Sequence, residues 1–199
     1  TFDNLAPLST YLGKPGDPAK GGLSFEDYVT RQRQHHDAEM AALMDAPEFI
    51  GKARTIYGYD HFLADTGGSI CEVVDPENPN DPVLATLAAN MLLVRIRETD
   101  AMVEELVRRF TANPKPMYYQ EAFLRRIWAD YLAETGLEEA QVDPDTFGRW
   151  GFRRLVEHRR PLYAAIAENW GVTVEAEEIA ALRTPEDFDA LIAAAIARR

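Results

Sequence analysis

The stretch His61-Phe62-Leu63-Ala64-Asp65-Thr66-Gly67-Gly68-Ser69-Ile70 decides how the rest of the chain is read. An apolar run halts at an acidic residue and opens into small residues. That pattern predicts a buried strand over 61–65 that ends in a tight turn. Open α/β sheets place ligand sites at the carboxyl ends of their strands, so this turn is a candidate site. Gly67 and Gly68 let backbone N–H groups approach a phosphate or other anion closely. The same pair also suits a plain strand exit, and both readings stand.

Upstream, residues 1–23 are rich in Gly, Pro and Asp and read as loop. Ser24 and Asp27 form a capping box, and a helix is expected from there to about Met44. Its apolar stripe carries Phe25, Tyr28, Val29, Met40 and Leu43, and His36 and Glu39 fall on the same side. Polar groups on a buried face need partners, and these two, one turn apart, can serve each other. A short helix then leads to Tyr57. Downstream, Asp81-Pro82 opens a helix, cap then first-turn proline. Met91-Leu92-Leu93-Val94-Arg95-Ile96 reads as a second strand. Helices follow from Thr99 or Asp100, over 123–135 up to Gly136, and from Asp143-Pro144 towards Trp170, with a kink possible at Pro161. Val172 to Ala176 reads as a short third strand, and Thr184-Pro185 caps a final helix.

Strands alternating with helices predict an α/β fold: one domain over 1–199, a three-layer parallel sheet flanked by helices. Three strands are few for so many helices. The shortfall points to a missing strand or to a helical insertion, a lid over 111–150.

Composition narrows the function classes. The 199 residues are 46% hydrophobic, enough for a globular core. The balance of 21 basic to 33 acidic residues gives a net charge of −12, which disfavours nucleic acid and anionic lipid as partners but permits one local basic pocket. A single cysteine, Cys71, excludes an internal disulfide and a cysteine-only zinc site. No apolar run reaches membrane-span length, and the start lacks a secretory pattern, so a cytoplasmic location is expected. Thr1 in place of a methionine raises the expectation of a processed or truncated product, with a protein partner or an N-terminal piece outside the chain.

Three local features line up in order: the Asp65-Thr-Gly-Gly-Ser turn, the Lys115-Pro116-Met117 break, and Arg159-Arg160-Pro161-Leu162-Tyr163 ahead of the last strand. This order resembles the shikimate kinase-like branch of P-loop small-molecule kinases, from Asp3 to the chain end. The resemblance implies ATP-dependent phosphoryl transfer to a small polar metabolite, or ATPase activity, with Mg²⁺. It implies acceptor-substrate contacts at Gly67, Gly68 and Ser69, a substrate clamp at Arg159, and a substrate-side role for His36 and Glu39. Lys115 matches a lid arginine that touches nucleotide phosphates, and Arg125 and Arg126 are further lid cations. Asp3 matches an acid that works with Mg²⁺. Asp65, at the end of its strand, is the second carboxylate expected to organise the metal.

The chain departs from that family in plain ways. No Gly-x-x-x-x-Gly-Lys-Ser/Thr segment occurs; Gly13-Lys14-Pro15-Gly16 lacks the spacing and follows no strand. The expected fold is therefore kinase-like without its first strand, loop and helix. A non-catalytic nucleotide- or metabolite-binding domain on the same scaffold is the alternative. Bland readings accompany each residue: Arg159 as a structural ion pair, Lys115 as surface lysine, Arg125 and Arg126 as a solvated helix edge. A metal site at His35, His36, Asp37 and Glu39 is disfavoured, because adjacent histidines point to different sides of a helix. Asp65-Thr66-Gly67 is also an aspartic-protease signature, but that fold is nearly all β and this chain has helical periodicity.

Overall fold

The structure is a computed structural model that describes residues 11–199. Its elements are α1 (Phe25–Met44), α2 (Ala46–Tyr57), α3 (Pro82–Asn90), β1 (Leu93–Arg97), α4 (Asp100–Ala112), α5 (Glu121–Thr135), α6 (Pro144–Trp170), β2 (Gly171–Glu175), α7 (Ala176–Ala181) and α8 (Pro185–Ala197). It is helix-rich, with a parallel pair of strands. The described residues form two compact units, one of residues 11–39 with 105–158 and one of residues 40–104 with 159–199.

Local signals set most helix ends. Ser24 Oγ accepts from Asp27 N at 3.2 Å at the start of α1. Asp81 accepts from Leu84 N at 2.8 Å and caps α3. Thr184 accepts from Asp187 N at 3.2 Å and caps α8. Each satisfies a first-turn N–H that has no partner within its helix. Gly136, at φ 66°, closes α5 in the left-handed conformation. Side-chain-bearing residues avoid that conformation, which is why glycine stands there. α6 runs through Pro161 as a single helix.

The first unit is built on aromatic packing. Phe25, Tyr28 and Val29 of α1 pack with Phe123, Leu124, Ile127, Trp128 and Tyr131 of α5 and with Phe147 and Leu155 of α6. Phe25 stacks on Trp128 with ring centres 4.9 Å apart, within the range of favourable aromatic pairs. Buried Gln32 ties down the chain before α5: its Oε1 accepts from Tyr119 N at 2.8 Å and its Nε2 donates to Met117 O at 3.2 Å. Much of the 111–150 stretch thus contributes to the core of this unit.

In the second unit β1 and β2 pair in parallel, Leu93 opposite Gly171 through Arg97 opposite Glu175. Gly171 is required there, because a Cβ would collide with the Leu93 carbonyl oxygen. Around the pair, Val83 and Leu87 of α3 pack with Ile70, Leu84 packs with Cys71 and Ile166, and Val172 and Val174 pack with Ala195 of α8.

The expected strand over 61–65 does not form. Residues 61–66 are irregular, and Leu63 is 85% exposed. An apolar run becomes a strand only if its backbone groups find a ladder. Among the described residues β1 pairs with β2 alone.

Candidate functional site

The second unit contains a cavity of about 270 Å³ beside the glycine turn. Its wall includes Thr66, Gly67, Gly68, the run from Met91 to Ile96, Glu98 and Tyr163. The turn is held from both sides. Asp65 Oδ1 accepts from Gly67 N at 2.9 Å. Gly67 sits at φ 64°, in the left-handed region. Glycine is favoured in that region because it has no Cβ to clash. Tyr163 Oη donates to Gly68 O at 2.6 Å, and the Cys71 thiol lies 3.5 Å from the same oxygen. A Cβ on Gly68 would come within 3.0 Å of both Arg159 Nη1 and Tyr163 Oη. The two glycines therefore have different duties. Gly67 makes the bend, and Gly68 makes room for two side chains.

Arg159 lies on the apolar stripe of α6 and is 7% exposed, as its spacing with Leu155, Leu162 and Ile166 requires. Its Nε donates to Glu72 Oε1 in a buried ion pair. Burial opposes the guanidinium charge, but the Glu72 carboxylate more than reverses this and the arginine's pKa is raised. Burial also pushes the Cys71 thiol up to about 12, so it is a packed thiol and not a nucleophile. The Tyr163 phenol is raised for the same reason.

Arg95 is the cation that sequence reasoning passed over. It stands at the centre of β1, and its side chain is 15% exposed. Its Nη2 is 3.6 Å from a Glu98 oxygen. Its Nε is buried and has no hydrogen-bond partner among the described residues. Glu98 is shared, since it also accepts from Arg160 Nε at 2.8 Å. A guanidinium with a buried, unused N–H is suited to bind one more anionic oxygen. The available signal was a charge set between Val94 and Ile96 in an otherwise apolar strand.

The other expected residues take separate places. Asp65 is exposed at the start of the turn, and Ser69 stands just before the short 3₁₀ turn Ile70–Glu72. In the first unit, Lys115 is exposed between α4 and α5. Arg125 bonds Glu121 at 2.9 Å and Glu26 at 2.8 Å, and Arg126 lies 5.3 Å from the Phe123 ring centre. Glu39 Oε2 is 3.2 Å from His35 Nε2, and His36 Nδ1 is 3.1 Å from Asp37 Oδ1. Glu39 therefore has the histidine four residues back as its neighbour, and Glu72 is the carboxylate that meets Arg159. Asp3 lies outside the described residues.

Among the described residues, no group of three or more His, Cys, Asp and Glu side chains could hold a metal ion. Asp65 accepts from Gly67 N with one carboxylate oxygen, and the other carboxylate expected beside Mg²⁺, Asp3, lies outside the described residues. No helix among the described residues is long and apolar enough to cross a membrane. Compared with protein-family models, with curated proteins and with solved structures, the chain matches none.

Proposed function

We propose that the second unit binds a small polar metabolite bearing a carboxylate or phosphate, on the acceptor side of a shikimate kinase-like phosphotransferase scaffold. The buried, unpartnered Nε of Arg95 beside the Gly67-Gly68 turn carries this reading. Both glycines that the resemblance assigns to acceptor contact line the same cavity. The cavity is close in size to ordinary small-ligand sites, and its lining presents polar and apolar surface in nearly equal parts, as suits a polar metabolite. On this reading β1 and β2 belong to a three-layer parallel sheet, and the transferred phosphoryl group comes from ATP with Mg²⁺.

Ligand binding without turnover is the second reading. It is favoured by the lack of a Gly-x-x-x-x-Gly-Lys-Ser/Thr segment in residues 1–199. Titration calorimetry with small hydroxycarboxylates and sugar phosphates tests the site. Binding that weakens by about tenfold or more in Arg95→Gln, as loss of a charge-assisted hydrogen bond should produce, supports it. No binding by the folded chain, or equal binding by the variant, refutes it. A coupled assay with ATP and Mg²⁺ then separates the readings: turnover means a transferase, and binding alone means a regulatory domain.

A further inference from the structure

Arg95 and Glu98 face each other as an ion pair that stops short of bonding. Glu98 Oε2 lies 3.6 Å from Arg95 Nη2, and the buried Arg95 Nε has no hydrogen-bond partner among the described residues. A charge-assisted N–H···O bond is shorter, about 2.7–2.9 Å, and a carboxylate beside a guanidinium commonly takes two of its N–H groups together. Two other pairs of this chain do so. Arg33 donates Nε and Nη2 to the two oxygens of Glu121, each at 2.7 Å. Arg108 donates the same two groups to Glu105, again at 2.7 Å each. Arg108 and Glu105 are three residues apart, as Arg95 and Glu98 are.

What differs at Glu98 is a second cation. Arg160 Nε donates to Glu98 Oε1 at 2.8 Å, and Arg160 Nη1 donates to Asp100 Oδ1 at 3.0 Å. Arg160 is thus fixed at two points and keeps one oxygen of Glu98. A carboxylate committed in this way does not turn both oxygens onto Arg95. Its charge still attracts Arg95 Nη2, which orients the guanidinium and leaves Nε unoccupied. Arg95 and Glu98 both wall the cavity at the Gly67-Gly68 turn.

We propose that Arg160 is a positioning residue for this cavity: by holding Glu98 Oε1 it keeps that carboxylate off Arg95 and leaves Arg95 Nε open to an anionic oxygen of the ligand. This role rests on the reading of the cavity as a site for a carboxylate or phosphate. Glu98 is then a built-in competitor that Arg160 restrains. Released, it closes onto Arg95 as Glu121 does onto Arg33, and a ligand has to displace it. Loss of Arg160 therefore weakens binding through Glu98, and with Glu98 also neutralised Arg160 has little left to do. A merely structural arginine would be missed equally with or without Glu98.

The test uses the whole 199-residue chain. Arg160→Gln, Glu98→Gln and the double variant are first checked for folding by circular dichroism. The Arg95 Nε–H resonance, assigned by its loss in Arg95→Gln, is then recorded without ligand. In Arg160→Gln it should move downfield, as a proton does on gaining a carboxylate acceptor. In the double variant it should stay where it stands in Glu98→Gln. Inorganic phosphate and acetate are next titrated separately against each protein. Affinity should fall about tenfold in Arg160→Gln, and the double variant should match Glu98→Gln to within about twofold. An unmoved resonance in Arg160→Gln overturns the proposal whether or not an anion binds. So does a loss of affinity that persists undiminished in the Glu98→Gln background. A moved resonance with neither anion bound by any of these proteins counts against the anion site and upholds the hold of Arg160 on Glu98.

Discussion

Arg159 and Glu72 form a buried ion pair beneath the Gly67-Gly68 turn, with side chains 9% and 0% exposed. Neither charge can be solvated if its partner is removed. Arg159→Met should therefore destabilise the folded chain by about 3–5 kcal/mol, and Glu72→Leu by a similar amount. The double replacement should recover most of the loss, because an apolar pair needs no compensation. Urea denaturation of the three variants checks this. If the double variant is as unstable as the sum of the singles, the pair is not the dominant interaction at either position.

The two glycines of the turn should respond differently. The space around Gly67 is open, so backbone conformation alone sets the cost there. Gly67→Ala forces a Cβ into a left-handed conformation and should cost about 1–2 kcal/mol. Gly67→Asn should cost less, since asparagine tolerates that conformation. Gly68→Val collides with Arg159 and Tyr163 and should cost about 1–3 kcal/mol through overpacking. Thermal melts rank the three. Equal losses for alanine and asparagine at position 67 would argue against conformational strain.

Asp81 is 6% exposed and serves two backbone donors, Leu84 N at 2.8 Å and Asp75 N at 2.9 Å. It joins the start of α3 to the loop before it. Asp81→Ala should cost at least the ~1 kcal/mol typical of a helix cap, and more because Asp75 N also loses its acceptor. Asp81→Asn retains one acceptor oxygen and should be milder. Chemical denaturation of both variants separates cap loss from general disruption.

Two groups give opposite pH signatures. The Cys71 thiol is raised from its ordinary 9.0 to about 12, chiefly by burial. Between those values the unfolded chain has lost this proton and the folded chain has kept it, so this residue makes stability fall as pH rises. Asp143 is lowered from 3.8 to about 2, first by the hydrogen bond from Thr146 N and then by Lys20. Its contribution is present above 3.8 and is lost as pH falls towards 2. Denaturation curves against pH should show the alkaline loss diminished in Cys71→Ala and the acid loss diminished in Asp143→Asn. Cys71 should also resist iodoacetamide at about pH 8 until the chain unfolds.

Much of the fold was legible because helix ends are local events. Ser24, Asp81, Gly136 and Thr184 act within four residues of themselves, and each stands where its chemistry requires. The β1 and β2 segments were legible within one or two residues as short apolar runs. Residues 61–65 are also a short run with apolar residues, lack the Val and Ile of β1 and β2, and form no strand, because pairing depends on a neighbour that a local run cannot specify. The site was legible in part. Gly67 and Gly68 line the cavity, but Arg95 was hidden, since one charge in an apolar strand reads the same whether it reaches solvent or a pocket. Arg159 was read as a substrate clamp or a structural ion pair, and the carboxylate that it meets comes from Glu72, 87 residues earlier.

The sequence by itself determined where helices begin and end, which faces are apolar, and that a cation would be buried on α6. These properties follow from hydrogen bonds and side-chain periods spanning a few residues. Only the tertiary structure decided which carboxylate meets Arg159, that Gly68 makes room for Arg159 and Tyr163, and that β1 keeps an open edge beside residues 60–66. Those outcomes depend on which distant segments share one desolvated volume, where an unpaired charge or backbone group is costly enough to select its partner.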